Sequence, residues 1–150
     1  RCTIYDPKLP KPSTLDFTFI ERSSARAFVV EMKCEIEFQN FKFLTLNNPL
    51  QLEHHKKDSF KAFLSAAARD GEQTTKVKGR LQKTEGAILI WGAVSPDGRQ
   101  SCMAQYGFHD VIGVDQIIED LVLWNSSEFA AFIEQLNVWS NDLFSFLKPK

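Results

Sequence analysis

Two acidic residues and a lysine occur on neighbouring apolar segments near the start of the chain. Asp16 begins the first segment, and Glu31 and Lys33 lie towards the end of the second. Carboxylate oxygens are the ligands that Mg²⁺ prefers in proteins, and an ammonium group can stabilise the charge that develops on a phosphate during hydrolysis. These residue types indicate metal-dependent cleavage of phosphodiester bonds, provided that the fold brings them together.

The two apolar segments have the composition of a β-hairpin. Residues 16–20 and 27–34 are rich in Phe, Val and Ile, which favour strands, and the residues between them are typical of a turn. If the turn is centred midway between Ser23 and Ser24, Glu21 faces Arg26, and this pair of opposite charges supports the register.

The same register places Asp16 opposite Glu31. Directly opposed residues have Cβ atoms roughly 4.5–5.5 Å apart, and Lys33 shares a face with Glu31 because side chains alternate along a strand. Two carboxylates at that distance repel each other, so a cation between them is expected. A slip of one residue would send one acid to the other face.

The composition limits the classes of protein to which the chain can belong. It has 150 residues, of which 43% are hydrophobic and 25% charged, and its formal net charge is −1. That length suits one domain, and we expect a single domain over residues 1–150. The charge excludes a globally basic nucleic-acid-binding protein, so contacts with phosphate must come from a local patch.

Three features predict a location inside the cell. No apolar run is long enough to span a bilayer, and the N-terminus lacks the apolar core of a secretion signal. Cys2, Cys34 and Cys102 are odd in number and irregularly spaced, which suits neither a disulfide framework nor a zinc site. We therefore expect a reducing compartment, either the cytoplasm or the nucleoid or nucleus. Because the first residue is Arg1, we also consider that the chain is a fragment of a longer protein.

The rest of the pattern predicts an α/β fold of the α+β type, with a mixed central sheet flanked by helices. Ile4 and Tyr5 suggest a first strand, residues 41–46 suggest a strand or ordered loop, and Asn48 with Pro49 announces a helix that ends at Gly71. The apolar run 87–94 predicts a strand buried at the centre of the sheet.

The remaining elements are predicted from hydrophobic periodicity and from residue types that favour turns. We expect a loop over 72–85, a turn at 95–98, a strand over 100–108 and two C-terminal helices that are separated at Asn125 and Ser126. Trp91, Trp124 and Trp139 lie in apolar periodic segments, so we expect them in the core.

The arrangement of Asp16 with Glu31-x-Lys33 on adjacent strands, followed by a helix and another apolar strand, resembles the PD-(D/E)xK nuclease superfamily. The resemblance covers roughly residues 14–94 and implies a restriction-endonuclease-like fold. It further implies that Asp16 and Glu31 bind Mg²⁺, for which Mn²⁺ can substitute, and that Lys33 contacts the attacking water or the scissile phosphate.

The chain departs from the family pattern at two points. Leu15 stands where the family has a proline, and no upstream helix is visible that could supply a further acid. Glu35 is a candidate supporting residue because it lies two residues beyond Lys33 on the same face, and Gln51 is another because related nucleases place a polar residue early on this helix.

Basic residues outside the acidic pair are candidates for binding nucleic acid, with DNA favoured over RNA. Because many enzymes of this superfamily dimerise to cut both strands, we include a homodimer among the expected assemblies; no membrane partner is expected. Phosphate contacts position a nucleic acid without reading its sequence. The candidate residues are His54, His55, Lys56, Lys57, Lys76, Lys78, Arg80 and Lys83.

Other interpretations of the same residues remain open. Alternating charges on a strand commonly mark a solvated face of a sheet, where Lys33 and its neighbouring acids would merely neutralise one another. A nuclease-like fold could also be a catalytically silent module that binds nucleic acid or protein. A third interpretation is a structural domain of a longer enzyme.

Overall fold

The computed structural model describes residues 2–5, 11–33, 45–53, 55, 58–68 and 73–146. They form two compact units, Arg1–Asp115 and Gln116–Lys150. The first is a mixed sheet with helices, so the predicted α+β class is confirmed at that level. The single nuclease-like domain and the restriction-endonuclease-like topology stay predictions.

The main sheet of the first unit combines strand pairs that are consecutive in the chain with pairs that are distant in it. The described strands are β1 Cys2–Tyr5, β2 Ser13–Leu15, β3 Phe17–Ile20, β4 Ala27–Lys33, β5 Thr45–Leu46, β6 Thr74–Val77, β7 Arg80–Trp91, β8 Ala93–Val94 and β9 Asp110–Gly113. Seven of them form the main sheet in the order β2-β1-β6-β7-β4-β3, with β9 paired to β7 beyond this path. The two short strands β5 and β8 pair separately.

The two ends of the strand order are joined by a single residue. Strand β2 pairs with β1 and strand β3 pairs with β4, and only Asp16 separates β2 from β3. The sheet therefore curls back on itself. Thr75 on β6 marks the closure, because its hydroxyl lies 3.3 Å from that of Thr18 on β3 and donates to the carbonyl of Thr3 on β1.

The predicted hairpin and its register are confirmed. Strands β3 and β4 are antiparallel, with Phe17 opposite Val30 and Ile20 opposite Ala27. The Arg26 guanidinium lies 2.9 Å from the Glu21 carboxylate, and this hydrogen bond lowers the pKa of Glu21 below its ordinary value.

Strand β7 occupies the centre of the sheet, as its apolar run predicts. It is parallel to β4 on one side, while on the other side its first residues pair with β6 and its last residues pair with β9. Helix α1 (Asp58–Ala67) covers one face, where Phe60 and Phe63 join Val29, Leu89 and Trp91 in the core. Burying a large apolar side chain contributes roughly 1.5–3 kcal/mol.

The predicted helix at Asn48 begins as expected, but it is short. Asn48 caps a 3₁₀ helix at Pro49–Leu52, and α1 starts only at Asp58. The predicted stop at Gly71, residues 41–44 and Cys34 lie outside the described residues.

The predicted loop over 72–85 was wrong, because these residues contribute to a hairpin. Strands β6 and β7 are antiparallel, and Lys78 and Gly79 connect them with φ angles of 47° and 84°. Two positive φ angles are typical of the tight turn whose twist suits a hairpin. The strands of this hairpin are polar here and lack an apolar stripe, so the sequence shows little hydrophobic periodicity.

The predicted turn at 95–98 and strand over 100–108 were also wrong. Residues Pro96–Tyr106 form helix α2, in which the Ser95 hydroxyl accepts a hydrogen bond from the N–H of Gly98. Gly107 ends the helix with a φ of 72°. Serine as the cap and proline in the first turn are helix-start signals as well as turn signals.

The second unit contains the two predicted C-terminal helices. Helix α3 spans Val114–Leu123 and helix α4 spans Ser127–Phe146, with the predicted break between them. The predicted core position is confirmed for Trp91, which is fully buried, and was wrong for Trp124 and Trp139, which are 69% and 61% exposed. None of the described helices combines the length and apolarity needed to cross a bilayer.

Candidate metal and phosphate site

The candidate site lies where the β3–β4 pairing meets the bend at Asp16. Extending the observed register by one residue beyond Phe17 and Val30 places Asp16 opposite Glu31. Opposed residues of an antiparallel pair share a face of the sheet, and Lys33 lies on that face with Glu31. Extending the register thus assigns the three residues to one face, and of the three only Lys33 and Glu31 are in contact within the described residues.

Asp16 is fixed by a hydrogen bond to the backbone of the neighbouring strand. Its Oδ2 accepts from the N–H of Met32 at 2.8 Å. The chain bends at Asp16 as it passes from pairing with β1 to pairing with β4, so the carboxylate takes the place of a backbone acceptor there. Within the described residues Oδ1 has no hydrogen-bond partner, so one oxygen is held and the other can accept a ligand.

Glu31 is a buried carboxylate, only 4% exposed. It lies on β4 between β3 and β7, opposite Leu89, on the face that α1 covers. Burying a carboxylate is costly unless it is paired with a cation or coordinates a metal. In the described structure, its Oε1 pairs with the ammonium group of Lys33.

The ammonium group of Lys33 is held on two sides. It contacts Glu31 and lies 5.9 Å from the centroid of the Phe60 ring, a distance typical of a weak cation–π interaction. The Lys33 side chain is 23% exposed, so it remains accessible from solvent. The position suits an ammonium group that meets a phosphate at the mouth of the site.

The donor set fits a Mg²⁺ ion that is held by few protein ligands. Mg²⁺ is commonly bound through one or two carboxylates, with water and substrate phosphate completing its octahedron. Asp16 and Glu31 can supply that pair. Among the described residues, no group of three or more His, Cys, Asp or Glu side chains is placed to hold a metal. Glu35 lies outside the described residues.

Gln51 is used by the local backbone. Its Oε1 accepts hydrogen bonds from the N–H groups of Asn47 and Asn48 at 2.6 and 3.0 Å, and its Nε2 donates to the carbonyl of Thr45. These bonds form a capping box with Asn48 at the start of the 3₁₀ helix. The contacts of Gln51 show its capping role, whereas a supporting role at the metal site stays a prediction.

His55 packs against aromatic rings. Its ring centroid lies 5.0 Å from that of Phe60 and 5.8 Å from that of Trp91. His55 is half-buried and lies at the edge of the hydrophobic core. Its predicted neighbours in phosphate binding, His54, Lys56 and Lys57, lie outside the described residues.

The four basic residues of the β6–β7 hairpin are all exposed, but they lie away from the acidic pair. Lys76 and Lys83 project from one face, Arg80 from the other, and Lys78 from the turn. Lys83 precedes Leu89, the partner of Glu31 on β7, by about 20 Å along the strand at roughly 3.3 Å per residue. The hairpin is a separate basic surface.

Two participants escaped the sequence analysis. The backbone N–H of Met32 orients Asp16, and the Phe60 ring lies near the Lys33 ammonium group. Side-chain type and spacing carry no signal for a backbone donor. Phe60 lies on the buried side of α1, and which β4 residue it contacts depends on how the helix packs.

Comparisons with protein-family models, curated proteins and solved structures found no match to this chain. The functional assignment therefore depends on the residues and their geometry.

Proposed function

We propose that the chain is a metal-dependent nuclease that hydrolyses phosphodiester bonds of nucleic acid, with DNA favoured over RNA. The proposal rests on the observed β3–β4 register, whose extension by one residue sets Asp16 opposite Glu31, and on the contact of Lys33 with Glu31. Two carboxylates and one ammonium group leave a net negative charge of one, which favours the binding of a cation.

The order of elements around the site supports the proposal. Asp16 immediately precedes β3, the Glu-x-Lys pair lies on antiparallel β4, α1 follows, and β7 then runs parallel to β4. This is the order on which the resemblance to the PD-(D/E)xK superfamily depends. Because Glu31 is buried within the sheet, it does not suit the alternative interpretation in which these charges lie on a solvated face and neutralise one another.

Each residue has a distinct part in the proposed chemistry. Asp16 and Glu31 would hold Mg²⁺, which when bound makes a coordinated water more acidic and neutralises charge on the phosphate. Asp16 is pre-positioned by the Met32 N–H, so little reorganisation is needed. Lys33 would orient the attacking water and add positive charge beside the scissile phosphate.

The basic hairpin would bind the nucleic acid at a distance from the bond that is cleaved. The separation of about 20 Å along β7 corresponds to roughly six nucleotides at 3.4 Å per nucleotide of one strand. Because Lys76 and Lys83 share a face, they can contact one phosphate backbone together. Such contacts would strengthen binding without selecting a sequence.

A catalytically silent binding module is the second candidate. The contacts within the site favour it, because Asp16 accepts a hydrogen bond from the Met32 N–H and Glu31 is already paired with Lys33. That set explains the three residues without a metal. The absence of a third metal-ligating side chain among the described residues points the same way.

Cleavage assays on the purified chain distinguish the two candidates. Double-stranded DNA, single-stranded DNA and RNA would be incubated with Mg²⁺ or Mn²⁺, using the wild type, Glu31→Gln, Lys33→Ala and the control Lys61→Ala. Lys61 is an exposed lysine on α1 that pairs with Asp58. We expect cleavage by the wild type and Lys61→Ala, and a loss of two or more orders of magnitude in the other variants.

Calorimetric titration with Mn²⁺ provides the complementary measurement. The nuclease proposal expects binding that Glu31→Gln abolishes. Salt-sensitive DNA binding without Mn²⁺ binding would instead establish the silent module. Cleavage that persists in both site variants would refute the proposed residues.

A further inference from the structure

The second compact unit exposes an unusual amount of apolar surface. No described side chain of α3 or α4 is buried. On α4, Phe132, Leu136, Trp139 and Leu143 recur at spacings of four, three and four residues, which aligns them on one side of the helix. Phe132 and Trp139 are 58% and 61% exposed.

A groove between the two helices is a second apolar feature, and it is lined by residues of α4 other than those of the stripe. The groove has a volume of about 610 Å³, and its apolar lining includes Leu121, Phe129 and Ile133. A volume of that size lies within the range of sites that accommodate bulky side chains or small ligands, roughly 300–1,000 Å³. We call the stripe and the groove together the α3–α4 surface.

The charged residues in the described part of the second unit are all acidic. Between residues 116 and 146 the sequence contains no Lys, Arg or His, and its charged residues are Glu119, Asp120, Glu128, Glu134 and Asp142. Glu134 lines the groove itself. Within the described residues, the carboxylates of Glu119, Glu134 and Asp142 form no ion pair, so the surface presents uncompensated negative charge.

The charge disfavours three other occupants. A second copy would bring an equally acidic surface against this one. Helices that lie on membranes carry Lys and Arg on their polar face and are attracted to anionic lipids, whereas this unit would be repelled. A nucleic acid would be repelled by the same acids.

We infer that the α3–α4 surface binds a basic amphipathic helix of a partner protein. Apolar side chains of the partner would lie along the stripe and enter the groove, while its Lys and Arg residues would face the acids. A buried aromatic side chain removes roughly 150–250 Å² from water, so the half-exposed Phe132 and Trp139 alone offer a substantial area. The proposal is independent of the nuclease chemistry.

Tryptophan fluorescence of the full chain provides the test, because Trp124 and Trp139 are exposed while Trp91 is already buried. The probe is a synthetic amphipathic helix of Leu and Lys, and its matched control is the same peptide with Glu in place of Lys. We expect the Lys peptide to shift the emission to shorter wavelength with saturation, and the Glu peptide to have no effect.

Two variants locate the binding surface. Phe132→Ser removes an apolar contact, and we expect it to weaken binding by tenfold or more. Glu134→Lys reverses a charge in the groove, and we expect a loss of about fivefold at low salt that fades as salt is added. The control Glu53→Lys reverses an exposed charge in the first unit and should leave the affinity unchanged.

Several outcomes would overturn the inference. Equal binding of the two peptides would show that charge complementarity does not determine binding. A concentration-dependent dimer that excludes the peptide would assign the surface to a second copy. Binding to anionic vesicles in preference to the peptide would assign it to a membrane. Emission that is already at short wavelength and insensitive to the peptide would show that this chain covers the surface itself.

Discussion

The Oδ2 atom of Asp16 accepts a hydrogen bond of 2.8 Å from the backbone N–H of Met32. This bond joins the bend between β2 and β3 to the strand that carries Glu31 and Lys33. One oxygen of the carboxylate therefore has a structural partner. The other has no hydrogen-bond partner within the described residues and can accept a ligand.

Substitution of Asp16 separates these two roles. Asp16→Asn keeps an oxygen acceptor for the Met32 N–H, so we expect a loss of stability below about 1 kcal/mol, whereas Asp16→Ala should cost about 1–2 kcal/mol. Both variants should lose metal-dependent cleavage. Urea unfolding and a cleavage assay measure the two effects, and an Asp16→Asn variant with full cleavage would contradict the role as a ligand.

Removal of the Lys33 ammonium group tests whether Glu31 can hold a cation. Lys33→Met leaves a buried carboxylate without its partner, so we expect a destabilisation of about 3 kcal/mol at neutral pH. The double variant with Glu31→Gln should recover much of this loss. Thermal unfolding measures both.

Addition of Mn²⁺ to the Lys33→Met variant extends this test. An ion at one hundred times its dissociation constant should stabilise the fold by about 2.7 kcal/mol. The double variant, which lacks the Glu31 carboxylate, is the control and should not respond. Equal responses of the two variants would place the ion elsewhere.

Two glycines should tolerate alanine to very different degrees. A Cβ atom on Gly98 of α2 would lie 2.0 Å from the carbonyl oxygen of Leu46, which is backbone and cannot move aside cheaply. Gly79, in the β6–β7 turn, has a φ of 84°, but a Cβ atom there would meet nothing within 4 Å. We expect Gly79→Ala to cost about 1 kcal/mol, through backbone conformation alone, and Gly98→Ala to cost more.

Denaturant unfolding of the two glycine variants provides the comparison. A larger loss at Gly79 than at Gly98 would mean that α2 does not pack against Leu46 as described.

The thiol of Cys102 should make stability depend on pH in alkaline solution. Burial raises its pKa from 9.0 to about 11. Because the folded-state pKa is raised, the contribution to stability is fully present below pH 9 and is lost as pH rises towards 11. The difference in unfolding free energy between wild type and Cys102→Ala should therefore shrink over this range. A difference that is constant from pH 8 to 11 would contradict the burial of the thiol.

The sequence predicted the β3–β4 hairpin better than the connections that follow it. The register of β3 against β4 followed from turn position and alternating side chains, which are local properties. Helix α2 was missed because Ser95 and Pro96 start turns and helices alike, and the choice depends on packing against Leu46. The hydrogen bond from Met32 could not be predicted, since every strand residue offers the same donor.

The β6–β7 hairpin shows a different limit. Its exposed Lys76, Lys78 and Lys83 resemble the composition of a solvated loop, and only Gly79 hints at a tight turn. Pairing with β1 on one side and continuity with the buried part of β7 on the other make these residues strands. Those are long-range contacts that local composition does not encode.

The bend at Asp16 also predicts the order in which the proposed site residues could be replaced among related chains. A descendant without catalysis would still need an acceptor for the Met32 N–H where the curled sheet closes, whereas its position 33 would only have to neutralise or avoid a buried acid. We therefore expect inactive relatives to keep Asp16 or an asparagine there and to vary first at positions 31 and 33, often together.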